Sequence, residues 1–134
     1  MQRWQGKLFM KKRLIALLLT PLLLGGCASI INLTPHQQAR KASGLYPVEI
    51  EFQTRQNNIR RETLKPIVQV GLESYPMRQV PMLTNRWETL VPVAADKRYV
   101  NYRVRVDYDY NSIPIPRSDS RLSPPYQLEI VEGK

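Results

Sequence analysis

Carboxylates and an amide recur at alternate positions in Asp107-Tyr108-Asp109-Tyr110-Asn111, the spacing with which a calcium loop begins. Oxygens at positions one, three and five can wrap a hard cation. Such a loop also needs a glycine at position six for its sharp turn and a bidentate glutamate at position twelve. Ser112 and Ser118 stand there instead, which excludes an EF-hand and leaves only a looser cation site to consider. Alternating acids on a strand otherwise form its solvated face. Glu49 and Glu51 have the spacing of a carboxylate pair, and that spacing equally places both on the wet face of a strand. The chain holds one His (His36) and one Cys (Cys27). This excludes a His-pair or multi-Cys metal centre, leaves most triads without a base and rules out an internal disulfide. The sequence has no Gly-rich phosphate loop, no Gly-x-Ser-x-Gly and no His-Glu-x-x-His. These absences point away from catalysis, and no metal or cofactor is expected.

Aromatic side chains are the remaining candidates for ligand chemistry, because exposed rings stack on sugars. Trp87, Tyr75 and Tyr110 form the candidate platform, with Tyr99 as an alternative. Arg86-Trp87-Glu88, the Val-Pro-Val-Ala-Ala-Asp link at 91–96 and the Tyr-x-Val-x-Val pattern at 102–106 loosely resemble a hairpin of immunoglobulin-like starch- and glycogen-binding modules. That resemblance implies a glycan ligand. Against it, Trp87 alternates in phase with Val91 and Val93, a pattern that favours the core.

The N-terminal segment bears on where such residues act. The whole chain of 134 residues carries +9, but five of its 20 basic residues precede Leu14. From Cys27 onward, 15 basic residues face 11 acids, a net +4 with the signs interleaved, so no nucleic-acid partner is expected. Lys11-Lys12-Arg13 leads into an apolar run at 14–24 that contains Pro21. This is the layout of a secretory signal, too short to span a bilayer core of about 30 Å. Met10 directly precedes the basic triplet and is a candidate start of translation. The run ends in Leu24-Gly25-Gly26-Cys27, which resembles a bacterial lipobox. The resemblance implies cleavage between Gly26 and Cys27, a diacylglyceryl thioether on the Cys27 sulfur and acylation of the new amino group. Two or more acyl chains give stable anchoring, since each buried CH₂ contributes about 0.8 kcal/mol. Ala28 stands where an aspartate would favour inner-membrane retention, so the resemblance implies the outer membrane.

The expected organisation is therefore a cleaved signal peptide at 1–26, a tether at 27–45 and one domain at 46–134. Within that domain the hydrophobic pattern has period two. Val48, Ile50 and Phe52 alternate with Glu49, Glu51 and Gln53; 63–72, the proline-interrupted 74–82 and 86–93 follow as strands. Val100, Tyr102, Val104, Val106, Tyr108 and Tyr110 form the clearest alternation, and 126–130 closes the series. Short strands without an amphipathic helix predict an all-β fold, a small immunoglobulin-like antiparallel β-sandwich, with a small β-barrel as the alternative.

Residues 111–125 carry four prolines and are expected to form a long extended loop. Ile113 and Ile115 flank Pro114 within it, apolar residues that need either a groove of their own domain or a partner. Asp119 and Arg121 would supply polar contacts at the rim of such a partner surface. The reading that follows is a lipid-anchored, non-catalytic envelope lipoprotein whose sandwich docks an envelope or outer-membrane protein. The alternative is a glycan-binding surface lipoprotein. The chain from Cys27 onward resembles the immunoglobulin-like envelope lipoproteins in general, without the signature of a specific family.

Overall fold

β-Branched and aromatic residues at every second position make 99–110 the strongest strand of the chain, and the fold is arranged around it. The structure, a computed structural model, describes residues 28–133. The described strands are β1 (Ser29–Asn32), β2 (Gln37–Ala39), β3 (Leu45–Gln53), β4 (Ile59–Val70), β5 (Glu73–Pro76), β6 (Arg78–Gln79), β7 (Arg86–Pro92), β8 (Tyr99–Tyr110), β9 (Arg117–Leu122) and β10 (Tyr126–Val131). They form two open sheets, one ordered β1-β3-β7-β6 and the other β2-β10-β8-β4-β5, with β9 also paired to β8. The fold is an all-β sandwich. Because neither sheet closes on itself, the barrel alternative is not adopted.

The alternation read in the sequence is the burial pattern. Val48, Ile50 and Phe52 of β3 meet Tyr102, Val104, Val106 and Tyr108 of β8 in one core with Val68, Val91, Leu128 and Ile130. Burying each such aliphatic side chain contributes about 1.5–3 kcal/mol. The Phe52 and Tyr108 rings lie 6.0 Å apart, which brings the ends of β3 and β8 together across the core.

Three expectations are corrected. The segment expected to be a tether belongs to the sandwich from residue 28 onward. β1 pairs antiparallel with β3, and β2 pairs parallel with β10. Polar residues of this segment extend the contacts to β3 where β1 stops. The Thr34 hydroxyl accepts the Glu49 N–H at 3.0 Å and lies 3.2 Å from the Glu49 carbonyl, to which it donates. The Gln38 amide donates to the Pro47 carbonyl at 2.9 Å. A hydrophobic pattern cannot reveal a segment whose docking is largely polar.

The strand expected at 74–82 is divided between the sheets. β5 pairs with β4, the chain crosses at buried Met77, and β6 pairs with β7. Pro76, without an N–H, ends β5 at a sheet edge where no ladder bond is required.

The expected loop at 111–125 is interrupted by β9, six residues antiparallel to the second half of β8. β9 and β10 lie along β8 in turn, separated by Ser123-Pro124-Pro125. At that break Ser123 replaces the ladder. Its N–H donates to the Val104 carbonyl at 2.8 Å, and its hydroxyl accepts the Val104 N–H at 2.8 Å. Arg-Ser-Asp-Ser-Arg-Leu lacks an apolar alternation because β9 is an exposed edge, held by backbone pairing and blunted by charge.

Candidate functional site

Four segments converge at the end of the sandwich where β3 and β8 finish, here termed apical. β1 begins there, because Ser29 pairs with Gln53. The β3–β4 turn joins the β8–β9 loop through Asn58: its carbonyl accepts the Asn111 N–H at 2.7 Å, and its side-chain amide donates to the Asn111 carbonyl at 3.1 Å. The loop between β6 and β7 is tied in by Asn85, whose carbonyl accepts the Phe52 N–H at 2.9 Å. Arg61 of β4 donates to the Asn85 side chain at 3.1 Å.

Two apical loops expose apolar tips. Ile113 is 94% and Ile115 64% accessible, so these residues do not pack on their own sandwich. The second tip, Val80-Pro81-Met82-Leu83, carries Met82 fully in solvent and in the left-handed region at φ 67°. Sequence reasoning missed this tip, because reading 74–82 as one strand assigned its apolar residues to a sheet. The Thr84-Asn85 turn signal next to an apolar run was the clue available.

Asp119 and Arg121 are not loop-rim residues. They lie on β9 opposite Tyr108 and Val106, on the inward face at the edge of the sandwich. The Tyr108 hydroxyl donates to Asp119 Oδ2 at 3.3 Å. Burial raises the Tyr108 phenol above its ordinary value near 10; Arg121 opposes the rise and the Asp119 carboxylate adds to it. This group closes one flank of the core.

The outward face beside it holds the acids that suggested a cation. Asp107 and Asp109, with Glu62, Thr63 and Lys65 of β4 and Ser118 and Ser120 of β9, line a shallow concavity of about 670 Å³. The carboxylates are already engaged. Ser118 donates to Asp109 at 2.6 Å, Ser120 donates to Asp107 at 2.7 Å, and Arg105 lies 3.2 Å from Asp107. A bulge in β4 between Arg60 and Lys65 adjoins this face. Its extra residues are patched by Thr63, whose hydroxyl accepts the Asp109 N–H at 2.8 Å and donates to the Arg60 carbonyl at 2.6 Å. Among the described residues no group of three or more His, Cys, Asp or Glu side chains is arranged to hold a metal.

The candidate sugar platform is not assembled. Trp87 lies opposite Ile50, Tyr75 opposite Val68, and Tyr110 two residues beyond Tyr108, so all three point inward. Each is half-buried and packed against the core. Tyr99 is exposed, with the Arg98 guanidinium 5.4 Å from its ring centre. His36 is exposed beside Gln37 and Glu129, whose carboxylate is held below its ordinary value by hydrogen bonds from Gln37 and Arg98. Glu49 and Glu51 sit on the outward face of β3 and face Glu88 and Arg86 of β7 respectively. Gly26 and Cys27 lie outside the described residues; Ala28, the next residue, packs against the core at the apical end. No family model, curated protein or solved structure matches this chain.

Proposed function

We propose that this protein is a lipid-anchored, non-catalytic module of the bacterial envelope, held on the outer membrane through Cys27, with its β-sandwich acting as a structural or protein-interaction unit. One observation carries the reading: the residues directly after Cys27 are already part of the sandwich. Ala28 packs on the core and Ser29 is already paired with Gln53. Signal-peptide cleavage before Cys27 would therefore place the acylated residue directly beside the start of β1. The acids of the β8–β9 concavity hydrogen-bond to their own serines, which supports a structural role for them. The outer edges of β1, β2 and β9, which have no strand partner among the described residues, offer strand addition as a way to engage an envelope protein.

The test is Cys27→Ser in the producing bacterium. A clickable fatty acid should label the parent chain and not the variant, and the variant should leave the membrane fraction. Unlabelled parent chain, or a variant that stays membrane-bound, refutes the anchor.

A further inference from the structure

We infer that the apical end of the sandwich is a membrane-contact face, seated on the bilayer with the tips of the β6–β7 and β8–β9 loops in the headgroup region. The inference rests on the lipid anchor proposed above and specifies how the domain sits on it. With no tether, the anchor's position dictates orientation. Consecutive Cα atoms are about 3.8 Å apart, so an acylated Cys27 holds Ala28 and the start of β1 at the lipid surface. The apical segments follow, because β1 begins beside the end of β3 and the other three loops are bonded around that point.

The chemistry of this end fits a lipid surface. Met82 is fully exposed, Leu83 is 42% exposed, and Ile113 and Ile115 stand out on a separate loop. The two tips rise from opposite flanks of the sandwich, one beside edge strand β6 and the other beside edge strand β9. With the anchor beside β1 they spread contacts over both flanks of the sandwich rather than into one groove, a layout suited to a plane. Around them Arg55, Arg61 and Arg117 have no carboxylate within 4.0 Å among the described residues. The nearby acids are engaged or faced by bases: Glu62 pairs with Arg60 at 3.2 Å, Ser118 donates to Asp109, and Glu51 lies opposite Arg86. Apolar tips ringed by guanidinium groups that have no carboxylate partner among the described residues match an anionic headgroup layer over an acyl interior. The opposite end lies away from the anchor. Its exposed Leu72 stands between Gly71 and Glu73, and the β7–β8 loop carries Asp96 and Lys97.

The experiment uses the lipidated chain, purified from bacterial membranes and reconstituted in phosphatidylethanolamine–phosphatidylglycerol vesicles. Single probe sites are Met82→Cys, Ile113→Cys and, at the far end, Leu72→Cys. Cys27 is a thioether in the lipidated chain, so a polarity-sensitive fluorophore labels only the introduced thiol. All three positions are exposed, and a thermal melt checks that each variant keeps the fold. Probes at 82 and 113 should shift to the blue and be quenched by brominated acyl chains roughly threefold more than the probe at 72, as expected for insertion of about 5–10 Å. Equal, water-like signals at all three positions on a chain acylated at Cys27 overturn the orientation and leave the anchor standing. Absence of acylation at Cys27 overturns both. Probes at 82 and 113 that become dry only when envelope proteins are added to the vesicles assign the face to a protein and refute bilayer contact.

Discussion

Replacing Ser123 with alanine isolates the contact that fills the break between β9 and β10 along β8. Ser123 is 4% exposed, and its hydroxyl is the acceptor for the N–H of Val104, which is fully buried. The chain turns away from β8 at this point through Pro124 and Pro125, so no backbone carbonyl takes over the role. In Ser123→Ala the Val104 N–H is left in the core without a partner. An orphaned buried donor costs about 1–3 kcal/mol. In a domain of this size each kcal/mol lowers the melting temperature by about 4–8 °C, so a fall of roughly 5–15 °C is expected. Urea unfolding followed by far-UV circular dichroism supplies the free energy, and amide exchange at Val104 supplies the location. Ser120→Ala is the matched control. It also loses a hydroxyl bonded to its neighbour, here Asp107 at 2.7 Å, but in an exposed pair, so its effect should stay within about 0.5 kcal/mol. Equal stability of the two variants, with Val104 still protected from exchange, would refute the argument that burial decides the cost.

Val104→Asp places a carboxyl where a fully buried aliphatic side chain packs and should abolish the cooperative melt, whereas Arg103→Asp on the outward face should shift it only slightly; equal tolerance would reject the assigned register. Ile30→Ser should destabilise the domain by about 1–2 kcal/mol in urea unfolding, because Ile30 pairs with Phe52 and packs on the core, while a residue in a tether would have no effect. The phenol of Tyr102 is raised above its ordinary value near 10, chiefly by burial and against hydrogen bonds from Thr34 and Asn32. A raised folded-state value leaves stability intact below about pH 10 and lost as the pH climbs through the folded value. Urea midpoints should therefore fall above pH 10, and less steeply in Tyr102→Phe; an absorbance titration in which every tyrosine ionises at its ordinary value would contradict this.

Much of the core was legible because a strand buried on one face writes its burial as period-two alternation. Val48, Ile50 and Phe52, and the alternate residues of 100–110, could face only one way without exposing every apolar side chain. The same logic placed Trp87 inward, where it lies opposite Ile50. The Leu24-Gly25-Gly26-Cys27 pattern that resembles a lipobox is likewise local, complete within four residues.

Other features depended on partners distant in the chain. β1 and β2 are short, and neither alternates clearly in sequence; they exist because β3 and β10 offer unpaired edges, and because Thr34 and Gln38 meet carbonyls 15 and 9 residues away. β9 has no hydrophobic signature, since its stability comes from backbone bonds to β8. The division of 74–82 at Met77 followed from which sheet each half could pair with. Loop tips at 82 and 113, 31 residues apart, reach the same end of the molecule as Ala28 only because antiparallel pairing returns the chain there repeatedly. Composition and periodicity determined which faces of the strands are dry. Pairing between distant segments decided which strands exist at the edges, and it alone brought the exposed apolar residues to one end of the sandwich.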